Sequence, residues 1–284
     1  MITVLEVIKR TTEFLAGKGV EGARLNAELL VGHALGVGRM QLYLQFERPL
    51  AEPELEGIRP LVRRRSLHEP LQYIVGTVEF CGLKLKVDRR ALIPRPETEY
   101  LLELIGQKLA QRAPQSALDL GTGSGAIALA LAAQYPHAAI TGLDASADAL
   151  ALANENAAHT GMAGRVEWMT SDWYAALPAG RRFDLIVGNP PYLSEAEVAE
   201  SRPEVKNFEP VRALTPGGDA LSALERIIAG APARLTPGGL LALETGIAQH
   251  EALRGMVAPA GLTGFAAAPD LTGRPRYIFA QAAG

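Results

Sequence analysis

Four residues with unusual chemistry follow the apolar run 183–188, which predicts a buried strand: Asn189, Pro190, Pro191 and Tyr192. In open α/β sheets, ligands bind in the crevice outside the carboxyl ends of the strands. The prolines fix φ and lack backbone N–H donors, so their carbonyl groups can be aimed rigidly. Asn189 adds an acceptor and Tyr192 a flat face. These residue types predict a grip on a planar amine or amide nitrogen; the alternative is an ordinary Pro-Pro turn.

A glycine turn upstream provides a second candidate site. Run 117–120 predicts a strand and run 126–132 a helix. The residues that join them are Gly121, Thr122, Gly123, Ser124 and Gly125. Glycine permits close approach of the backbone, and a helix N-terminus offers free N–H groups, so we expect a nucleotide-type ligand. The turn alone does not select the ligand, because it also satisfies the dinucleotide fingerprint of NAD-binding oxidoreductases.

Acidic and aromatic residues follow two more predicted strands. Asp144 ends the run 139–143, about 20 residues beyond the glycine turn, the distance expected of a ribose-binding acid. Asp144 and Ser146 also precede a helical stretch, so a role at the helix N-terminus is the alternative. Asp172 and Trp173 follow the next predicted strand. They place a carboxylate and an indole on the same sheet edge, where both suit an adenine ring.

Composition narrows the class of protein. The chain has 284 residues and a formal charge of −3, which disfavours broad electrostatic capture of nucleic acid. The single Cys81 excludes an internal disulfide framework, and the histidines lack metal-ligand spacing, so no metal is expected.

No apolar span reaches bilayer length and no export signal is present, which predicts a cytoplasmic protein. We interpret the run Arg63–Arg65 as a solvated helix face, with partner docking as the minor alternative.

The chain divides into three predicted parts. Residues 1–72 form a small all-helical domain, residues 73–93 a β-hairpin linker, and residues 94–284 an α/β domain. A long irregular loop, 194–219, follows Tyr192 and is typical of a lid or binding loop. Other expected elements are a helix at 97–109 and strands at 73–80, 83–87, 239–244 and 276–280.

The acid and glycine turn from Asp119 to Gly125 resemble those of S-adenosylmethionine-dependent methyltransferases, and Asn189–Tyr192 resembles the branch that methylates amino groups. Two further stretches, 69–76 and 92–99, precede these motifs in the chain and narrow the resemblance to one family. With them the chain resembles the peptide chain release factor glutamine methyltransferases of the HemK/PrmC type nearly end to end, with a looser match in the helical domain. The resemblance implies a Rossmann-like sheet of seven mostly parallel strands with an antiparallel last strand.

That family uses S-adenosylmethionine to methylate the side-chain amide nitrogen of the glutamine in the Gly-Gly-Gln motif of class 1 release factors. We expect Asn189 Oδ1 and the Pro190 carbonyl to accept the two amide N–H groups, with Tyr192 packed on the amide plane and Pro191 stiffening the turn. The implied cofactor-binding residues are Gly121, Thr122, Gly123, Ser124, Gly125, Asp144, Asp172, Trp173 and Asn189. Asp119 either contacts the cofactor or only holds the glycine turn.

Other interpretations stay open. Arg95, Glu97 and Thr98 are interpreted as the start of a helix rather than as rim residues of a pocket. The runner-up activity is methylation of an exocyclic amine of DNA or RNA, which would require base flipping in a duplex. A noncatalytic module with an idle cofactor pocket is a third possibility. We expect release factors as partners, no membrane, no stable nucleic-acid binding and a monomer.

Overall fold

A computed structural model describes residues 2–284. The chain forms two compact units. The first runs to Gly76 and includes the later segment Arg202–Phe208, and the second comprises Thr77–Ser201 and Glu209–Gly284. Among residues 2–284, every helix is too short or too polar to span a lipid bilayer.

The helices are, in chain order, α1 (Val4–Gly17), α2 (Ala23–Leu35), α3 (Arg39–Tyr43), α4 (Glu52–Ser66), α5 (Leu71–Val75), α6 (Pro96–Lys108), α7 (Ala126–Gln134), α8 (Ala147–His159), α9 (Glu195–Glu200), α10 (Pro203–Phe208), α11 (Val211–Leu214), α12 (Ser222–Arg234) and α13 (His250–Val257). The strands are β1 (Thr77–Phe80), β2 (Leu83–Lys86), β3 (Ser116–Leu120), β4 (Ala139–Asp144), β5 (Val166–Thr170), β6 (Phe183–Gly188), β7 (Leu235–Glu244), β8 (Leu262–Pro269) and β9 (Pro275–Ala282).

The first unit is helical, and helix α5 corrects one prediction. The segment Tyr73–Gly76, expected to begin a strand, instead completes a helical turn that ends at Gly76 with φ +79°. Its β-branched residues suit a strand locally, but Ile74 is buried against Leu15 and Leu30 of neighbouring helices. Tertiary packing therefore overrides a weak strand preference. The strand begins only at Thr77.

The arginine run on α4 was only partly predicted. Arg63 is exposed, as expected, whereas Arg65 is 5% exposed. Its guanidinium donates to Asn26 Oδ1 at 2.7 Å and to Glu204 Oε1 at 2.7 Å, all within the first unit. A solvated face is therefore the wrong interpretation for Arg65. Its positive charge is compensated by the Glu204 carboxylate from α10, and the side chain is largely shielded from water.

The second unit contains a seven-stranded sheet in the order β5-β4-β3-β6-β7-β9-β8. Strands β3 to β7 pair in parallel, and β9 pairs antiparallel with both β7 and β8. The predicted Rossmann-like sheet with an antiparallel last strand is confirmed. The chain leaves β3 in one direction through β4 and β5, then returns to its other side at β6. That reversal places the switch point between β3 and β6, where ligands bind in such sheets.

Register at the switch point brings the two candidate motifs together. Leu120 pairs with Gly188, so the glycine turn and Asn189 both begin one residue past a shared rung of the ladder. Gly188 is required there, because a Cβ on it would lie 2.9 Å from the Leu120 carbonyl oxygen. Close pairing of β3 and β6 thus fixes the spacing of the two halves of the site.

The predicted hairpin is present as β1 and β2, which pair antiparallel around Cys81 and Gly82. Asn156 joins the hairpin to helix α8: its side chain accepts from Lys86 N at 2.7 Å and donates to Lys86 O at 3.0 Å. The loop 194–219, expected to be irregular, instead contains α9, α10 and α11. A capping box signals the first of these, since Ser194 Oγ accepts from Glu197 N at 3.2 Å.

Candidate active site

A cavity of about 360 Å³ opens at the switch point, within the second unit. Its size lies in the range of small-molecule sites. The predicted residues that line it are Gly121, Thr122, Gly123, Ser124, Asp144, Asp172, Trp173, Asn189 and Pro191. Of the remaining predicted residues, Gly125, Pro190 and Tyr192 lie outside this lining. The structure therefore gathers residues from the ends of four strands around one space.

The glycine turn needs its glycines for conformation. Gly121, Gly123 and Gly125 have φ of +70°, +55° and +82°, which side chains rarely adopt. Gly125 is also crowded, because a Cβ there would lie 3.0 Å from the Ala153 Cβ and from the Trp168 ring. The turn therefore brings its backbone, without side chains, to the cavity wall.

Asp119 holds the turn from beneath. It is fully buried, and its Oδ2 accepts from Thr122 Oγ1 at 2.5 Å and from Ala128 N at 3.1 Å. Burial raises the pKa of Asp119 to about 7. Within residues 2–284 its second oxygen, Oδ1, has no hydrogen-bond partner. The structural role expected for Asp119 is thus present, and one acceptor is left over.

Asp144 joins the glycine turn to the start of α8, and its expected contact with a ribose stays a prediction. Its Oδ2 accepts from Gly123 N at 2.9 Å and its Oδ1 accepts from Ser146 N at 2.8 Å, while the carboxylate lines the cavity. The helix cap of α8 is Ser146, whose Oγ accepts from Ala149 N at 3.1 Å. Asp144 therefore fixes the glycine turn and still presents its outer lone pairs to the cavity.

Asp172 and Trp173 border the same space from the end of β5. Trp173 has φ +49°. Its ring lies beside Gly121, 3.8 Å from the position that a Cβ on this glycine would occupy. Asp172 is exposed and pairs with Arg226 at 2.7 Å. The positive φ aims the indole at the cavity wall, whereas the Asp172 carboxylate already has a cation.

Asn189 lines the cavity, and the nitrogen of its side-chain amide is hydrogen-bonded within the protein. Its Nδ2 donates to Thr98 Oγ1 at 3.1 Å, which leaves Oδ1 as the free acceptor. Pro190 is buried. Tyr192 packs among apolar side chains, and its hydroxyl donates to Glu244 Oε1 at 3.0 Å and accepts from Arg276 Nη1 at 3.2 Å. The Tyr192 hydroxyl is therefore used inside the protein.

Sequence reasoning missed several residues of the site. The predicted helix start is confirmed, since α6 begins at Pro96 with Arg95 as its N-cap. Arg95 and Thr98 also line the cavity, whereas Glu97 lies outside the lining. Buried Glu209 pairs with Arg95 and accepts from Ile93 N at 3.2 Å. The available signal for Glu209 and Glu244 was an acidic residue that directly follows an apolar one, Phe208 and Leu243 respectively.

The cavity fits a nucleoside cofactor that carries an amino-acid tail. Backbone at the glycine turn suits polar tail groups, and Asp144 suits ribose hydroxyls, whereas Asp119 lies outside the cavity lining. Trp173 supplies an aromatic face for a base. Among residues 2–284, no group of three metal-ligating side chains stands together.

Comparisons with known proteins identify the family of this chain. The family model for the PrmC N-terminal domain matches residues 6–76, and the model for the methyltransferase small domain matches residues 97–221. A release factor glutamine methyltransferase of Geobacter sulfurreducens is 44% identical over 97% of this chain and 95% of its own length. Its counterpart from Cereibacter sphaeroides is 42% identical, with 97% of each chain covered.

Solved structures agree on the fold. The catalytic domain of hMettl16 has a TM-score of 0.58 at 17% identity, with 81% of this chain and 80% of that chain covered. The T. thermophilus 16S rRNA methyltransferase RsmC has a TM-score of 0.52 at 22% identity and covers 72% of this chain, which spans 49% of that structure. The fold and site define a Rossmann-like methyltransferase. Its relatives at 38–45% identity place it further: the chain belongs to the release factor glutamine methyltransferase family.

Proposed function

We propose that this protein transfers the methyl group of S-adenosylmethionine to the side-chain amide nitrogen of the glutamine in the Gly-Gly-Gln motif of class 1 release factors. Methyl transfer to a release factor glutamine is the activity of the family to which it belongs. One observation carries the finer proposal: Asn189 directs its amide nitrogen at Thr98 and keeps Oδ1 for a donor at the cavity.

An amide nitrogen is a poor nucleophile, because its lone pair is delocalised into the carbonyl group. The protein's task is therefore orientation, which supplies roughly 7–11 kcal/mol in the best intramolecular analogues. Asn189 Oδ1 and the Pro190 carbonyl accept the two N–H groups of the glutamine and hold its nitrogen in line for attack. When bound, S-adenosylmethionine supplies the electrophilic methyl group.

The acceptors also polarise the N–H bond that breaks: the nitrogen gains one bond to the methyl carbon and loses one proton, which passes to solvent water. No strong base contacts the nitrogen before attack, because the N–H becomes acidic only as positive charge develops on the nitrogen. Acceptors already in place at that moment stabilise the developing charge without reorganisation. Pro191 lines the cavity beside Asn189 and limits the movement of the turn.

Three parallel incubations with labelled S-adenosylmethionine test this function: a class 1 release factor, the same factor with its Gly-Gly-Gln glutamine replaced by glutamate, and DNA and RNA. Mass analysis of release-factor peptides should find one added methyl group on the glutamine, and none on the replaced factor. Label in nucleic acid alone would support the exocyclic-amine activity instead. Bound cofactor without transfer to any arm would indicate a noncatalytic module.

The proposal extends to organisation. Residues 1–72 are assigned to docking of the release factor, residues 73–93 to linking the two parts, and residues 94–284 to methyl transfer. The protein is proposed to act as a monomer that binds no nucleic acid stably, in keeping with its net charge of −3. Light scattering in the presence and absence of release factor and of RNA measures both properties.

A further inference from the structure

Asn189 is the first of five side chains that hydrogen bonds join one after another. Asn189 Nδ2 lies 3.1 Å from Thr98 Oγ1, which lies 2.7 Å from Glu244 Oε2. The other carboxylate oxygen, Oε1, lies 3.0 Å from the Tyr192 hydroxyl, which lies 3.2 Å from Arg276 Nη1. Thr98 is 4% exposed and Glu244 is 2% exposed, so water does not supply alternative partners.

The directions of these hydrogen bonds follow from the donor and acceptor inventory of each group. Arg276 only donates, so the Tyr192 hydroxyl accepts from it and gives its single proton to Glu244. Thr98 likewise donates its single proton to Glu244 Oε2, which in the carboxylate form only accepts. In its hydrogen bond with Asn189, Thr98 Oγ1 can then only accept. Only Nδ2 of Asn189 can donate to it.

We propose that Thr98 is a positioning residue for methyl transfer: with Glu244 as its acceptor, its hydroxyl fixes the Asn189 amide in the orientation that turns Oδ1 toward the substrate nitrogen. This inference rests on the proposed function. An asparagine side chain is nearly symmetric in shape, so packing alone does not choose between its two flipped states. The flipped state would aim an N–H donor at the N–H groups of the glutamine and remove the grip.

Helix α6 places Thr98 for this task. Its sequence starts with Pro96 at the first turn, and Thr98 N donates to Arg95 O at 3.0 Å. The residue is therefore held by the helix start while its hydroxyl reaches both Asn189 and Glu244. The Glu244 carboxylate, at the end of β7, keeps both oxygens occupied by donors. Its burial raises the pKa of Glu244, and the two donors work in the opposite direction.

The test compares Thr98→Val, which keeps the shape and removes the hydroxyl, with Thr98→Ser, which keeps the hydroxyl. Thr98→Val should lower kcat for release factor methylation about thirtyfold, while the calorimetric Kd for S-adenosylmethionine stays within about twofold of the parent. Thr98→Ser should recover most of the lost kcat. The matched control is Thr141→Val, because Thr141 is equally buried and hydrogen-bonded but lies on β4 outside the cavity lining; it should leave kcat unchanged.

Parental kcat in Thr98→Val would overturn the inference, and so would a Thr98→Ser variant as impaired as Thr98→Val, since packing would then explain the effect. If Thr98→Val does not fold, Thr98→Ala replaces it in the same comparison with Thr98→Ser. A loss of kcat that is matched by an equal loss in Thr141→Val would also contradict the assigned role.

A second readout needs no methyl transfer. The side-chain amide signals of Asn189, identified in a ¹⁵N spectrum by their absence from Asn189→Ala, should shift in Thr98→Val and stay near their parental positions in Thr98→Ser. Unchanged signals in Thr98→Val would overturn the inference. If the parent protein failed to methylate a release factor, the proposed function would fail, while these spectra would still decide the positioning role.

Discussion

The ends of β3 and β6 lie side by side at the switch point, yet they build their halves of the site differently. After β3, bonds between residues close in sequence shape the glycine turn: Asp119 reaches Thr122 three positions on, and Asp144 reaches Gly123 across 21 positions. After β6, distant residues orient Asn189. Its partner Thr98 is 91 positions away, and Thr98 depends on Glu244 at 146 positions.

The two halves also treat a buried carboxylate differently. Asp119 keeps one oxygen without a partner among residues 2–284, whereas both oxygens of Glu244 accept hydrogen bonds. An unsatisfied buried acceptor costs free energy, and the fully buried Asp119 lies outside the cavity lining. A saturated network suits a group whose orientation must not change. The comparison indicates a carboxyl beneath the glycine turn that is only partly hydrogen-bonded and a saturated network behind Asn189.

Asn189→Ala should separate the halves most sharply. Loss of the acceptor removes the grip on the glutamine nitrogen, so methyl transfer should fall about a thousandfold, while the calorimetric Kd for S-adenosylmethionine changes only a few-fold. Asn154→Ala, an exposed change on α8, is the control for both measurements. Transfer near the parental rate would show that the assigned role of Asn189 is wrong.

Asp119→Asn probes the unfilled acceptor through the pH dependence of stability. Because the folded-state pKa of about 7 lies above the ordinary 3.8, the folded protein binds this proton more tightly than the unfolded chain does. The contribution of Asp119 to the free energy of unfolding is therefore greatest below pH 4 and is lost as the pH rises to about 7, by roughly 3 kcal/mol.

Urea unfolding of the protein without cofactor at several pH values measures that contribution. The difference in unfolding free energy between the parent and Asp119→Asn should shift against the parent from pH 4 to pH 7. A difference that stays constant over this range would mean that Asp119 is ionised throughout and that its burial is compensated.

Gly125→Ala tests the local half. The residue has φ +82°, and the added Cβ would meet the Ala153 Cβ and the Trp168 ring at 3.0 Å. Strain and crowding together should lower the free energy of unfolding by about 2 kcal/mol and weaken cofactor binding. Gly161→Ala is the matched control, with φ +74° and no neighbour within 4 Å of the new atom. Equal effects in both variants would assign everything to backbone strain.

Tyr192→Phe makes the smallest change, because its hydroxyl is three hydrogen bonds away from Asn189, through Glu244 and Thr98. It removes one donor to Glu244 and leaves Arg276 Nη1 without its acceptor, so kcat should fall about tenfold with little change in the Kd for the cofactor. The circular dichroism melt is the control for folding. A loss as large as that of Asn189→Ala would place the Tyr192 hydroxyl at the reaction itself.

Much of the fold was predictable because its signals are local. The alternation of buried strands with helices predicted an α/β domain, the family resemblance implied its mostly parallel sheet, and the hairpin around Cys81 and Gly82 was found from the strand pattern. The errors came where tertiary contacts compete with local preference. Tyr73–Gly76 has strand-forming residues but packs as a helix. Arg65 belongs to a run of arginines that is typical of a surface, but it is buried and paired with the Glu204 carboxylate from α10.

The amino-acid sequence by itself determined the glycine turn, the acids near the ends of β3, β4 and β5, and the Asn-Pro-Pro-Tyr stretch, because φ preferences and strand-end positions depend on neighbouring residues. Only the tertiary structure decided what holds the Asn189 amide in its orientation. That choice passes through the Thr98 hydroxyl of α6, the Glu244 carboxylate of β7 and the Arg276 guanidinium of β9, and the direction of a hydrogen bond is fixed only when all its partners are in place.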